Sequence, residues 1–318
     1  MPIDLTNPAF HDDDKAREML EAWRWPDGPV CPHCGEWQEV HRLEGKTYTA
    51  GALYCRSCRK KFSVTVGTVM ERSHIPISKW MLAFRLMTAS KKGMSAHQLH
   101  RMLGITYKSA WFMAMRIREA MKPDPNSGPL GGEGKVIESD ETFVGGKKKN
   151  VHKGKPEPKK HAVHALVERG GEMRAKHVAD VTAKTLRRNL VTMASRKSEL
   201  HTDESLTYYW MGKEFAGHKT VNHSEDEYFK DGAGVQSAEA FFALLKRGVF
   251  GSFHSVSEQH LQRYVDEFTF RWNNRVALGV DDAERAGRAM AAAAGKRLTY
   301  RRPDEAQDAE AEGPPPPF

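Results

Sequence analysis

Apolar positions recur with helical spacing between Pro76 and Met121 and with strand-like runs from Lys135 onward. In SKWMLAFRLMTAS, Trp80, Met81, Phe84, Leu86 and Met87 suit one stripe, predicting an amphipathic helix capped by Ser78 and broken at Gly93. SAHQLHRMLGITYKSAWFMAMRIREAM predicts a helix, a tight turn at Gly104 and a second helix capped by Thr106. Ala96, Leu99 and Leu103 face inward, and the second helix presents Tyr107, Lys108, Ser109, Arg116 and Arg118. This is helix-turn-helix spacing, with an ordinary helical hairpin as the plainer alternative.

The second half reads differently. KVIESDETFVGG, HAVHALVERGG and EMRAKHVADV predict three strands, and TAKTLRRNLVTMAS a helix. SELHTDES and HKTVNHS read as strands, AEAFFALLKRG and SEQHLQRYVDEFTFRWNNR as helices. The order is read as β-β-β-α-β-α-β-α-α, that of an RNase H-like fold with a five-stranded mixed sheet flanked by helices, its helix between the fourth and fifth strands assigned to no particular segment. Phe268, Phe270 and Trp272 read as core. Composition divides the chain into a lead-in (1–28, with a weak helical pattern at Lys15–Trp23), a β-rich cysteine segment (29–72) and a helical segment (73–122). A Pro/Gly linker (123–134), the α/β segment (135–278) and a tail (279–318) follow. The tail pairs an Ala-rich helix with a disordered acidic, Pro-rich end. The class is multidomain α+β.

Charge narrows the partners. The 318 residues carry 49 Lys+Arg against 41 Asp+Glu, a net charge of +8 and a sequence pI near 9.2. That balance favours a polyanion, nucleic acid or an anionic membrane. No apolar run spans a bilayer, and the acidic N-terminus broken by Pro8 is not a signal peptide, so the expected place is cytoplasmic, with no membrane partner.

All four cysteines fall in two Cys-x-x-Cys pairs, Cys31/Cys34 and Cys55/Cys58, with 20 residues between the pairs. Two such knuckles close a tetrahedral four-thiolate shell around Zn²⁺, a structural zinc ribbon; a redox dithiol is the weaker reading. Arg56, Arg59, Lys60 and Lys61 give the second knuckle a basic surface, and His33 and His41 are spare polar neighbours.

Three carboxylates carry the other candidate chemistry. Asp140 and Asp203 end strand-like runs, and Glu239 opens a helix, with 35 residues separating it from Asp203. Such a set holds two hard cations about 3.5–4 Å apart, which clamp the attacking and leaving oxygens of a phosphodiester. Glu141 and Glu204 adjoin two of them, but neighbouring strand residues point to opposite faces, so only one of each pair serves; Asp140 and Asp203 are preferred. Lys246 falls roughly on the face of Glu239, suited to a DNA phosphate.

At these residues the chain resembles the DDE transposases of bacterial insertion sequences, most nearly the ISXO-type subgroup with an N-terminal zinc ribbon. RWPDGPVCPHCG, ALYCRSCRKKFSVTVGTVM, SDETFVGGKKKN, HTDES and AEAFFALLKRGVFGSFHSVSEQHLQRYVDEFTFRWNNR carry the resemblance, from about Arg24 to Arg275. It implies an RNase H-like catalytic domain with Asp140 and Asp203 on strands and Glu239 on a helix. It also implies Mg²⁺ or Mn²⁺, and cutting and joining of element ends. The subgroup often has Asn-Thr before the variable residue and the glutamate; here Gln236-Ser237-Ala238 precedes Glu239.

The loop Gly145–Lys160 holds seven lysines, among them Lys147, Lys148 and Lys149, placed for phosphate contact beside Asp140. Lys108 and Arg116 are the candidate readers of DNA on the second helix. The expected partners are element-end and target DNA and a second copy of the chain. A DNA-binding regulator with an inactive nuclease fold, and a nuclease without strand transfer, are the rival functions.

Overall fold

The computed structural model describes residues 5–146, 159–221 and 232–299. Lys147, Lys148, Lys149 and the acidic tail lie outside them. Helix α1 (Asp13–Arg24) leads into a small antiparallel sheet of β1 (Val40–Arg42), β2 (Leu53–Cys55) and β3 (Lys60–Phe62). Three helices follow: α2 (Ile77–Ala89), α3 (Ala96–Leu103) and α4 (Tyr107–Ala120).

Local signals place the turn as expected. Gly104 takes a left-handed φ of 59°, and the Thr106 hydroxyl accepts from the Ser109 amide. Ser95 and Gln98 add a capping box at α3. The expectation at α2 needs correction. Ser78 lies inside the helix, which starts from Pro76, and its amide and hydroxyl donate to the Asp13 carboxylate of α1. A neighbouring helix caps α2, so its own serine does not have to.

The segments before residue 122 do not pack as separate units. Phe10, Leu20, Cys31, Leu53, Phe62, Trp80, Phe84, Leu99 and Ile117 belong to one apolar core. The Ala-rich stretch forms α9 (Asp282–Ala291) and completes that core with Ala286, Ala289 and Met290. Residues 279–291, expected to belong with the tail, therefore return to the N-terminal half. The linker also divides: Leu130 is buried in the second half, its amide donating to Met193 and its carbonyl accepting from Ser195.

The second half is built on β4 (Val136–Gly145), β5 (Lys160–Glu168), β6 (Met173–Val178), β7 (Glu199–Asp203) and β8 (Gly217–Val221), in spatial order β6-β5-β4-β7-β8. The first three pair antiparallel, and β4, β7 and β8 pair parallel. This is the mixed five-stranded sheet of an RNase H-like domain. Helix α5 (Ala183–Met193) covers one face with Leu186 and Leu190 over Ile137, Leu166 and Leu200. Helices α7 (Gln236–Gly248) and α8 (Glu258–Asn273) cover the other, with Phe241, Leu245, Val265 and Phe268 over Val163, Ala165 and Val167. Alternation along β5 sends Leu166 one way and its neighbours Ala165 and Val167 the other. The short α6 (Tyr209–Gly212) lies between β7 and β8, where the expected order has a helix. Phe268 is fully buried, while Phe270 and Trp272 pack partly buried against the two cores.

A buried ion cluster joins the halves. Glu267 of α8 pairs with Arg118 of α4 and with Arg271, at 2.6 Å each, with all three side chains 5% exposed or less. Burial opposes the Glu267 charge, but the two guanidiniums overcome it and hold the carboxyl below its ordinary range. No described helix is long and apolar enough to cross a membrane.

Candidate functional site

The four cysteines converge. Cys31 Sγ lies 3.6 Å from Cys58 Sγ, and Cys34 Sγ 3.6 Å from Cys55 Sγ. All four sulfurs lie within 4.8 Å of one another. A tetrahedral ion with bonds of about 2.3 Å sets its sulfurs about 3.8 Å apart, so the knuckles fit a structural Zn²⁺. β2 brings Cys55 beside Val40 of β1, which fixes one knuckle against the sheet. Arg56, Arg59, Lys60 and Lys61 stay exposed around it. His33 turns its ring edge-on to Phe62.

The carboxylates are assembled by the larger sheet. β4 and β7 run parallel with Glu138 opposite His201. Two residues further along each strand stand Asp140 and Asp203, on the same face and about one strand spacing apart, ~4.8 Å. Both charges act on Glu141, which records their proximity. Asp140 accepts from the Glu141 amide at 2.7 Å, and Asp203 from the Ser205 amide at 3.2 Å. Glu239 sits exposed in the first turn of α7. Among the described residues, these three carboxylates do not close to the mutual 4.8 Å that the cysteines reach.

The placement of α7 depends on a residue the sequence reading missed. Glu138 is 1% exposed. Its carboxylate accepts from the Ser237 amide at 2.7 Å and the Ser237 hydroxyl at 3.1 Å, and so caps the start of α7 two residues before Glu239. Arg169 donates to Glu138 at 2.9 Å and to the carbonyls of Gly232 and Gly234 at 2.8 and 3.0 Å. One ion pair, between buried Glu138 and half-buried Arg169, thus ties β4, the turn after β5 and the entry to α7. The available signal was period-two spacing: Glu138 shares the face of Asp140.

Glu141 faces the other way, as alternation requires. It accepts from the Tyr208 hydroxyl, which accepts from Ser139 at 3.1 Å; Ser139 in turn meets His164 Nε2 at 2.9 Å. Burial, then the charges of Asp140 and Asp203, push the Glu141 carboxyl up to about 7, against the pull of Tyr208. Full burial pushes His164 down to about 3, so it stays neutral. Glu204 is exposed.

The expected DNA contacts separate. Lys108 is exposed near the start of α4, and Lys246 is half-buried beside Lys92 and Arg247. Arg116 is 8% exposed, donates to the Glu71 and Leu298 carbonyls, and lies over the Phe112 ring. Arg118 is spent on Glu267. Neither arginine is on the surface, because the second half of α4 is enclosed by α8 and the N-terminal core, and a helix covered all round has no solvent face. Exposed Tyr209 and Trp210 follow Asp203 by six and seven residues, their rings 5.2 Å apart and Lys213 Nζ 4.5 and 4.3 Å from them.

Comparison with known families agrees with this layout. Residues 11–61 match a transposase zinc-ribbon domain, and residues 129–273 an ISXO2-like transposase domain. A protein of transposable element ISH50 from Halobacterium salinarum is 27% identical over 292 residues, covering 85% of this chain and 93% of that protein. With ribbon and sheet domain matched in order along one polypeptide, the chain carries a transposase zinc ribbon followed by an ISXO2-like transposase domain, and resembles a protein of a transposable element along most of its length.

Proposed function

We propose that the chain cuts and joins DNA at the ends of its element, with Asp140, Asp203 and Glu239 holding two Mg²⁺ or Mn²⁺ ions. The observation that carries the reading is the common level of Asp140 and Asp203 on adjacent parallel strands, on the face where Glu138 docks the helix bearing Glu239. Hard cations held there by Asp140, Asp203 and Glu239 would supply charge that lowers the pKa of an attacking water or 3′-hydroxyl and stabilises the leaving oxygen. The backbone amides of Glu141 and Ser205 each orient one carboxylate oxygen, of Asp140 and Asp203 respectively. Glu138 and Arg169 position Glu239 without touching substrate. Glu141, tied to Tyr208 on the opposite face, is not a ligand in this reading.

DNA meets the protein along Lys108, Lys246 and the lysine segment containing Lys147, Lys148 and Lys149. Such contacts add salt-dependent affinity without sequence readout. Exposed Tyr209 and Trp210, which follow Asp203 in the chain, offer aromatic surface for an unpaired base, and stacking of this kind contributes roughly 1–3 kcal/mol per base. Two copies acting together on paired ends of nucleoid DNA complete the proposal.

The test is Asp203→Asn, which keeps side-chain size and removes a ligating charge. Cleavage and joining of element-end DNA with Mg²⁺ should both fall by about a thousandfold or more, with DNA binding retained. Glu204→Gln should keep most activity. Cutting by Asp203→Asn at near the parent rate would sink the assignment. Cleavage without joining by the parent would favour a nuclease, and neither activity a regulator.

A further inference from the structure

A second set of metal-ligating side chains lies away from both sites. His161 stands near the start of β5, His177 near the end of β6, and Glu258 opens α8. In the antiparallel pair, Val163 faces His177, so His161 and His177 are diagonal neighbours on one sheet face. Their rings meet edge to face with centroids 5.7 Å apart. Helix α8 crosses that face and brings Glu258 Oε1 to 3.6 Å from His161 Nδ1. One ligand atom from each of the three residues lies within 4.8 Å of the other two. Among the described residues, the ribbon cysteines are the other group this close.

We propose that His161, His177 and Glu258 form a second divalent-metal site, suited to a borderline transition metal such as Zn²⁺. Two imidazoles and one carboxylate are a donor set for that class of ion, harder than the thiolate ribbon and softer than the all-carboxylate site. Bonds of about 2.0–2.1 Å set tetrahedral donors about 3.4 Å apart, close to the His161–Glu258 separation. The surroundings hold the ligands in place. Gln262, one turn after Glu258, accepts from the His177 amide at 2.8 Å, so the strand and helix that supply two ligands are already tied. Lys159 donates to the other Glu258 oxygen at 2.7 Å, an outer partner that orients the carboxylate.

Three protein ligands leave a fourth position for water or an anion. His161 and Lys159 line a cavity with Gly145, Gly146 and His254 into which that position can open. The site stands at the root of the lysine segment, since β4 ends at Gly145 and β5 begins at Lys160. Ladder pairs Val144–His161 and Asp140–Ala165 put it four residues from the catalytic strand position, about 13 Å by strand rise. A bound ion pins the end of that segment to α8. The plainer alternative is a histidine–glutamate ion pair that takes no metal.

Full-length protein carrying its ribbon zinc is stripped of loosely held metal and titrated with Zn²⁺ by calorimetry, with metal content measured after gel filtration. The parent should take up one tight equivalent beyond the ribbon ion. His177→Ala should lose that equivalent and keep the ribbon zinc, and Glu258→Gln should weaken it by about tenfold or more. Glu258 is half-exposed and serves as the second variant where His177→Ala fails to fold. Equal uptake by parent, His177→Ala and Glu258→Gln overturns the proposal. So does an extra equivalent abolished by Asp203→Asn and kept by Glu258→Gln, which would place the ion among the carboxylates.

Discussion

The ribbon cysteines and the sheet carboxylates proposed as ligands are two sets built in opposite ways. The cysteines come in local pairs on tight knuckles, and their sulfurs meet in 3.6 Å contacts beside a single small sheet that includes Cys55. The carboxylates come from a central strand, its parallel neighbour and a helix, and none is close to another in sequence. The ribbon is closed, matching a soft ion that carries only structure. The carboxylate face is partly exposed, matching hard ions that keep waters and admit substrate. A soft closed site can therefore be specified by spacing, whereas a hard open site depends on how whole elements dock.

That contrast can be broken first at the ribbon. Cys55→Ser should release the zinc, a loss of several kcal/mol on the scale of structural zinc binding. Hydrogen exchange should show α1 to β3 opening, with β4, β5 and β7 still protected. Because the ribbon shares its core with α2 and α9, some loosening should reach them too. Loss of protection across the large sheet would refute the separation.

The next effect tests the joint between the halves. Glu267→Gln leaves Arg118 and Arg271 buried beside a neutral amide, and should cost about 3–5 kcal/mol in denaturant unfolding. A change below about 1 kcal/mol would mean that the cluster is poorly formed in solution.

Glu138→Gln addresses the docking of α7. Zinc content and fold should be kept, while Mg²⁺-dependent cleavage should fall about 10–100-fold, as for the loss of a buried orienting partner. Higher Mg²⁺ should restore part of that loss, because Glu138 acts through Glu239 and not on substrate. Parent-like cleavage would remove Glu138 from the positioning role.

The smallest effect is a pH dependence. Burial raises the Asp266 carboxyl to about 6, opposed by its hydrogen bond from Gln262. Folding thus favours its protonated form, so its contribution is full below about pH 4 and is lost as pH rises through 6. Asp266→Asn should gain roughly 1–3 kcal/mol on the parent between pH 4 and pH 8, read from thermal melts. An equal difference at both pH values would show that Asp266 does not titrate in this way.

Much of the architecture was legible in the residues. Gly104 and Thr106 mark the turn between α3 and α4, the cysteine spacing marks the knuckles, and alternation separates Asp140 from Glu141. These are signals carried by residues near each other in the chain, where backbone conformation and side-chain periodicity act directly. Arg116 and Arg118 were misread as surface residues, because helical periodicity finds one buried face and cannot show that a second body covers the other. Glu138 and Arg169 were overlooked for the same reason: their partners lie 99 and 31 residues away. Sequence by itself determined the elements, the zinc ligands and the candidate acids. Only the tertiary structure decided which charges are buried, which helix returns to the N-terminal core, and which glutamate holds α7 in place. Burial and long-range pairing depend on the packing of whole elements, and no local pattern of residues encodes that packing.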